Sequence, residues 1–443
     1  MASDLAVSIW VSISYVDLKP YFTKLFLNFV VKKAMDVGGK EESNITTNSV
    51  TETRESEVPA GVAEVDSIEE EKPQNVDVAV ENIESDVETP KPQRQPTSEY
   101  TLVCIGEYPI KILAEHEHEG QQILIDKSSD EIRKWITDTY NSDDVLGLDA
   151  SVETHFWHQI LPYLTQNADL ITRLKNRLLD NKYGVLTVSS SWDGIGSALM
   201  PTLISCTKEW NMNSVTIALL PSKLQPSEAH FNAFSSLGSC VSKENATLIL
   251  LGRDQLNKYV GVERKGAVMK GNVFLDCLAE IALAKTTFVR ELCEMSSSFG
   301  VKAFTVMAAT GASFKIFGSL ENILDSTLFR PLLSFNLSSA LLLYVLLRIP
   351  MHLKEVLGRD KVELEIAHWF KEKAVLKSIH VTEPIYVEEV NDRVDLIMIV
   401  GGFDLASVFF PMEKKIDAIK AQATKQGSIK EEEWKEIKKG LMG

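Results

Sequence analysis

Ser189-Ser190-Ser191-Trp192-Asp193-Gly194-Ile195-Gly196-Ser197 sets four hydroxyls and two glycines between an apolar run, Tyr183 to Val188, and a stretch suited to a helix, Thr202 to Glu209. Hydroxyls and glycines at a helix start can meet an anion, because the first amides of a helix lack partners and its dipole favours negative charge there. Equally, Ser and Gly can simply cap the helix. A P-loop is excluded, since no Gly-Lys-[Ser/Thr] follows to reach terminal phosphates. A Rossmann turn fits poorly: Leu199 stands where a third glycine belongs, and the next strand ends in Leu220-Pro221 with no acid for a ribose hydroxyl. A nucleophile elbow is excluded by the absence of G-x-S-x-G.

Other chemistry is sparser. "EHEHEG" sets His116 and His118 among glutamates, and His155 and His158 stand three apart in "HFWH", but a metal needs a further convergent ligand. No metal site is assigned. Cys104, Cys206, Cys240, Cys277 and Cys293 are odd in number and have no C-x-x-C spacing, which suits buried thiols in a reducing cytoplasm. A formal charge of -16 with no basic stripe argues against nucleic acid as a partner.

The elements that would hold the turn follow from periodicity. With 443 residues and 44% apolar composition the chain can build two or three domains. Residues 1–37 alternate first at strand spacing (Val7, Ile9, Val11, Ile13) and then at helix spacing (Phe22, Leu25, Phe26, Phe29). This segment is expected either to pack on protein or to lie on a membrane surface. No uncharged run reaches the roughly 18 residues of a spanning helix, and no basic region precedes the first apolar run as in a signal peptide. Residues 38–98 hold fifteen acids, five bases and no aromatic residue, the composition of a disordered acidic linker. From 99 to 285 "YTLVCIG", "QQILIDK", "YGVLTVS", "SVTIALLP" and "ATLILLG" read as strands alternating with helices, and a helix near Gly271 to Lys285 ends the set. That pattern predicts an α/β domain, a parallel sheet with helices on both faces. From 286 to 411, "KAFTVMAAT", "LLLYVLL", "IHVTEPIYVEEV" and "RVDLIMIVGGF" predict a smaller α+β domain with a mixed sheet. Residues 412–443, dense in Lys and Glu, read as a solvated helix or a charged tail.

This order of elements resembles the tubulin/FtsZ superfamily of filament-forming GTPases, in an FtsZ-like, prokaryotic form. The family's G-G-G-T-G-[ST]-G loop, laid over Trp192 to Ala198, keeps Gly194, Gly196 and Ser197. "GSALMPTLISCTKEW", "LLPSKLQPSEAHFNAF", "LLGRDQL" and "DRVDLIMIVGGFD" are similar to later family segments. The resemblance covers roughly residues 100 to 411. It implies that Gly106, Ser189, Ser190, Ser191, Gly194, Gly196 and Ser197 face phosphates, that Glu228 approaches a ribose, and that Arg253, Asn272 and Asp276 approach a guanine. The implied cofactors are GTP or GDP, with Mg2+ as a companion ion. The implied partner is a second copy in a head-to-tail filament, with a membrane or a division protein on residues 1–37. The implied function is a cytoplasmic, membrane-peripheral cytoskeletal protein of cell division or cell shape that binds guanine nucleotide weakly. The sequence also departs from the pattern. Trp192, Asp193 and Ala198 replace loop glycines, Asp193 would repel phosphates unless a cation intervened, and Cys277 to Leu320 contains neither Asp nor Asn for a water-positioning acid. These departures imply the alternative of a nucleotide-free scaffold, a pseudo-GTPase tethered by its N-terminal segment.

Overall fold

A computed structural model describes residues 101–114, 120–136, 140–148, 155–166, 168–179 and 181–442. The expectations for residues 1–37, the acidic linker and the two histidines of "EHEHEG" lie outside these residues.

The strands β1 (Thr101–Ile105), β2 (Gln121–Asp126), β3 (Val145–Gly147), β4 (Val185–Ser190), β5 (Ser214–Leu220) and β6 (Leu248–Gly252) run parallel in the order β3-β2-β1-β4-β5-β6. A short hairpin, β7 (Val260–Val262) with β8 (Val268–Lys270), stands apart from the main sheet. The mixed part follows: β9 (Ala303–Ser313), β10 (Leu342–Pro350), β11 (Ser378–Val381), β12 (Ile385–Val387) and β13 (Arg393–Gly401). Here β13 lies antiparallel between β9 and β10, and β11 and β12 pair with β10 in parallel. The two parts form one continuous sheet of 11 strands, because Leu248–Leu250 of β6 pair in parallel with Ala303–Thr305 of β9.

Period-two patterning assigns the two faces. Leu102 and Cys104 of β1 point to one core, with the helices α1 (Glu107–Leu113), α8 (Gly271–Leu283) and α9 (Phe288–Phe299). Val103 and Ile105 point to the other, with α3 (Trp157–Gln166), α4 (Ala168–Leu178), α5 (Gly194–Glu209) and α6 (Ser227–Val241). A third core under β10 and β13 takes α11 (Leu320–Leu328) and α12 (Arg359–Phe370). Short helices α2 (Ser129–Arg133), α7 (Arg253–Lys258) and α10 (Phe314–Phe317) follow β2, β6 and β9.

The stretch expected to be solvated is packed. It forms most of α13 (Leu405–Lys425) and α14 (Glu431–Met442), and Met412, Ile416, Trp434, Ile437 and Leu441 are buried on the side of α6. The Trp434 ring stacks on Phe231 at 5.9 Å and on Phe234 at 5.6 Å. Gly238 permits the approach, since a Cβ there would lie 2.6 Å from Ile437 Cγ2. Charge density along α14 hides this stripe, because Lys and Glu fill most positions around Trp434, Ile437 and Leu441. Trp434→Ala is expected to lower unfolding stability by about 3–5 kcal/mol in urea titrations of the full chain; a loss within 0.5 kcal/mol, the range of ordinary surface changes, would refute the packing.

Candidate functional site

Strand order reverses between β1 and β4: β2 and β3 add on one side, β5 and β6 on the other. In open α/β sheets the crevice at the carboxyl ends of such a pair is where ligands bind. A cavity of about 440 Å³ lies there. Glu107, Tyr108 and Lys111 line it from α1, and Asp126, Lys127 and Glu131 from the end of β2 and α2. Trp192, Asp193 and Ile195 close it from the β4–α5 turn, and Arg253 reaches in from α7.

The quoted turn ends β4 and starts α5 with Asp193 as the N-cap. Asp193 Oδ1 accepts the Gly196 N–H at 2.6 Å, and Oδ2 accepts the Ser190 hydroxyl. The helix start therefore has an anion already, supplied by its own chain. Loss of hydration pushes the Asp193 carboxyl up to about 6; the hydrogen bonds from Ser190 and Gly196 oppose this, and the Asp126 carboxylate adds to it. Burial likewise lifts Asp126 to about 6, against the Lys127 amide and with Glu131 and Glu107. Two carboxylates that both resist ionisation repel one another across the hollow.

The hydroxyls expected to face phosphates are spent within the turn. Ser191 Oγ donates to Leu219 O at 2.7 Å, Ser197 Oγ to Ser191 O at 2.7 Å, and Ser189 Oγ to Gly196 O at 3.2 Å. All four serines are buried. Gly196 is required because a Cβ there would strike Ser190 O, so this glycine serves the packing of the turn on its own strand. Gly106, at φ +90, sits opposite, and a Cβ on it would come within 2.5 Å of Ser190 Oγ and 2.8 Å of Asp193 Oδ2. The carboxylate and its glycine neighbour thus fill the space between β1 and β4.

Arg253 supplies a second internal ligand. Its guanidinium lies 5.1 Å from the Tyr108 ring centre and 4.9 Å from that of Trp192, and the two rings meet edge to face at 5.3 Å. A cation between aromatic faces is stabilised by their quadrupoles. Lys111 is paired with Glu107. Among the described residues the cavity therefore offers four carboxylates against three cations, two of which are already engaged. A phosphate entering here would face these carboxylates together with Lys127 and Arg253.

Of the residues expected at the site, Gly106, Ser189, Ser190, Ser191, Gly194, Gly196 and Ser197 do converge around the turn, and Arg253 lines the cavity. Three do not reach its wall. Glu228 lies exposed in the first turn of α6, Asn272 lies exposed at the start of α8, and Asp276 lies half-buried one turn on. Sequence reasoning missed Tyr108, Asp126, Lys127 and Glu131. The signal was present, because "CIGEY" and "LIDK" mark carboxyl ends of adjacent strands. It also missed Asn232, which donates to His155 O at 2.7 Å and Trp192 O at 3.2 Å and accepts from the Trp157 amide at 3.3 Å. Of the other histidine pair, His155 is exposed and His158 stacks on Phe156, and no three His, Cys, Asp or Glu side chains converge for a metal among the described residues. No described helix is long and apolar enough to cross a membrane.

No protein-family model matches the chain, and no curated protein matches its sequence. Solved structures do resemble it in shape. CetZ from Methanosaeta thermophila superposes with a TM-score of 0.57 at 14% identity, over 77% of this chain and 97% of that one. CetZ1 from Haloferax volcanii, a GDP-bound monomer, gives 0.57 at 14% over 73% and 99%. CetZ2 from the same organism, a GTPgS-bound protofilament, gives 0.56 at 12% over 73% and 99%. Strand order, the switch-point turn and these superpositions together place the chain, as a divergent form, in the tubulin/FtsZ fold.

Proposed function

We propose that this chain is a cytoskeletal protein that assembles head to tail with copies of itself and needs no nucleotide phosphate in its switch-point cradle. The observation that carries the reading is the Asp193 carboxylate on the Gly196 amide and the Ser190 hydroxyl, in the position an anionic ligand would take. Head-to-tail contact builds open polymers because its two surfaces differ and do not close on themselves. The protofilament formed by CetZ2 supports such assembly for this fold.

Hydrolysis has no support in the described side chains. The carboxylates between Cys277 and Leu320 each have a partner of their own: Glu280 Oε1 binds Arg348 at 2.7 Å, Glu291 accepts from Tyr344 at 2.8 Å and contacts His380 at 3.1 Å, and the exposed Glu294 pairs with Arg290 at 3.8 Å. A second reading, weak guanine-nucleotide binding, is favoured by the size of the cavity and by Lys127 and Arg253 in its wall. It requires Asp193 to be protonated, displaced or bridged by a cation, so without magnesium it predicts tighter binding in mild acid than at pH 7.5.

Titration of the purified chain with labelled GTP and GDP, with and without magnesium, is expected to show no saturable binding at millimolar nucleotide and pH 7.5, while sedimenting assemblies form equally with and without GTP. Saturable binding under those conditions would replace the first reading with the second. Folding raises the Asp193 pKa, so its ionisation opposes folding above about 6, and the penalty is relieved as pH falls from 6 toward its ordinary 3.8. Between pH 7.5 and 4.5 the wild type should therefore gain on the order of 1–3 kcal/mol relative to Asp193→Asn in paired unfolding curves; parallel pH profiles would count against the buried carboxylate. The scaffold reading also assigns tethering to residues 1–37, and liposome co-sedimentation of the full chain against a chain starting at Glu99 tests it, with equal pelleting removing the membrane as anchor.

A further inference from the structure

The outer face of the β7–β8 hairpin is apolar and uncovered. Val260 stands opposite Lys270 and Val262 opposite Val268, so these four side chains share one face, while Gly261 and Met269 take the other. That second face is packed: Met269 is buried, and a Cβ on Gly261 would come within 2.0 Å of Thr310 Oγ1 on β9. On the first face Val260 is 46% exposed and Val268 64%. Two flanking segments add apolar side chains to it. Arg330 donates to Val260 O, which brings its neighbour Phe329, 83% exposed, beside β7. Asn391 donates to Arg264 O at 3.4 Å and Glu389 binds Arg264 at 2.5 Å, which sets the fully exposed Val390 at the hairpin turn. Large apolar side chains scattered singly over a surface are ordinary, but a group gathered on one element marks a contact surface.

The charge around these side chains favours one occupant. Lys258, Lys265 and Lys270 are exposed along the hairpin and its approach, and none forms an ion pair among the described residues. Of the nearby acids, Glu389 is paired with Arg264, and Asp254 accepts the Ser222 hydroxyl at 2.6 Å and the Lys223 amide at 2.8 Å. Glu263 in the turn and Glu388 beside Val390 remain against the three lysines and Arg330. The hairpin is therefore locally cationic on a chain whose formal charge is -16. Two copies of such a chain repel over most of their surface, so contact is favoured where an apolar, cationic patch on one meets an acidic face of the other. The hairpin also follows α7, whose Arg253 lines the switch-point cavity, so it stands beside that crevice. We propose that the outer face of β7–β8, with Phe329 and Val390, is a contact surface for an acid-rich face of a second copy of this chain, a reading that rests on the self-assembly proposed above and gives it a place.

Photo-crosslinking of the full chain reads the contact, with benzoylphenylalanine in place of Val268 in one arm and of Leu179, 53% exposed just past α4, in the other. Under conditions where the wild type sediments, illumination is expected to give covalent dimers from position 268 in clear excess over position 179. Equal yields, or no dimer from position 268, overturn the proposal. Lys265→Glu combined with Lys270→Glu, and separately Phe329→Ser, are each expected to raise the concentration needed for sedimentation about tenfold. All three side chains are exposed, so the unfolding midpoint should stay at the wild-type value; where it does not, crosslinking decides alone. Sedimentation of both variants like the wild type overturns this surface and leaves self-assembly standing. Failure of the wild type to sediment at all overturns self-assembly and this surface together.

Discussion

A helix start must find acceptors for its first amides, and at the centre of this sheet the chain supplies them itself through the Asp193 carboxylate. The rest of the switch-point architecture follows from that contact. Ser190 turns its hydroxyl to the same carboxylate, Gly106 must lack a side chain to make room, and Asp126 is raised with Asp193 because both lose water beside each other. A phosphate entering this place would meet a carboxylate rather than amides, and Coulomb repulsion in a partly buried site is several-fold stronger than in bulk water. The crevice that the fold provides at the switch point is lined here by four carboxylates and three cations.

The other half of the molecule shows the same internal use of charge. Arg348, 6% exposed, binds Asp395 at 2.7 Å and Glu280 at 2.7 Å, so it ties β10 to β13 and to α8. Asp395 also accepts the Gly311 amide at 2.7 Å, and Arg264, from the β7–β8 turn, reaches it at 3.4 Å. A buried ion network of this kind adds little net stability, yet removing one member strands the others without compensation. It therefore specifies how the central helix docks on the mixed strands more than it strengthens the fold.

Much of the architecture was legible in periodicity. Strands such as "SVTIALLP" and "ATLILLG" are short apolar runs bounded by turn signals, and β-pairing placed them as expected. The β7–β8 hairpin was not legible, because its three-residue strands carry too few positions for a pattern. The site was legible in its frame and less so in its chemistry. Gly194, Gly196 and Ser197 marked the turn correctly, but whether a serine hydroxyl faces a ligand or a neighbouring carbonyl depends on backbone curvature that spacing alone does not encode. Asp193 was visible as a conflict with phosphate; that it caps the helix is seen only once Gly196 and Ser190 are placed around it. Glu228, Asn272 and Asp276 were named by likeness to a family pattern, and their side chains stand away from the cavity wall.

Three consecutive residue pairs between β6 and β9 weld the parallel strands to the mixed ones. Swinging one half against the other would tear main-chain hydrogen bonds at that seam, whereas a change in sheet twist would keep them. A change of twist at the switch point would carry across this seam into the mixed strands, since the pairs at Leu248–Leu250 hold the sheet continuous where a hinge would otherwise sit.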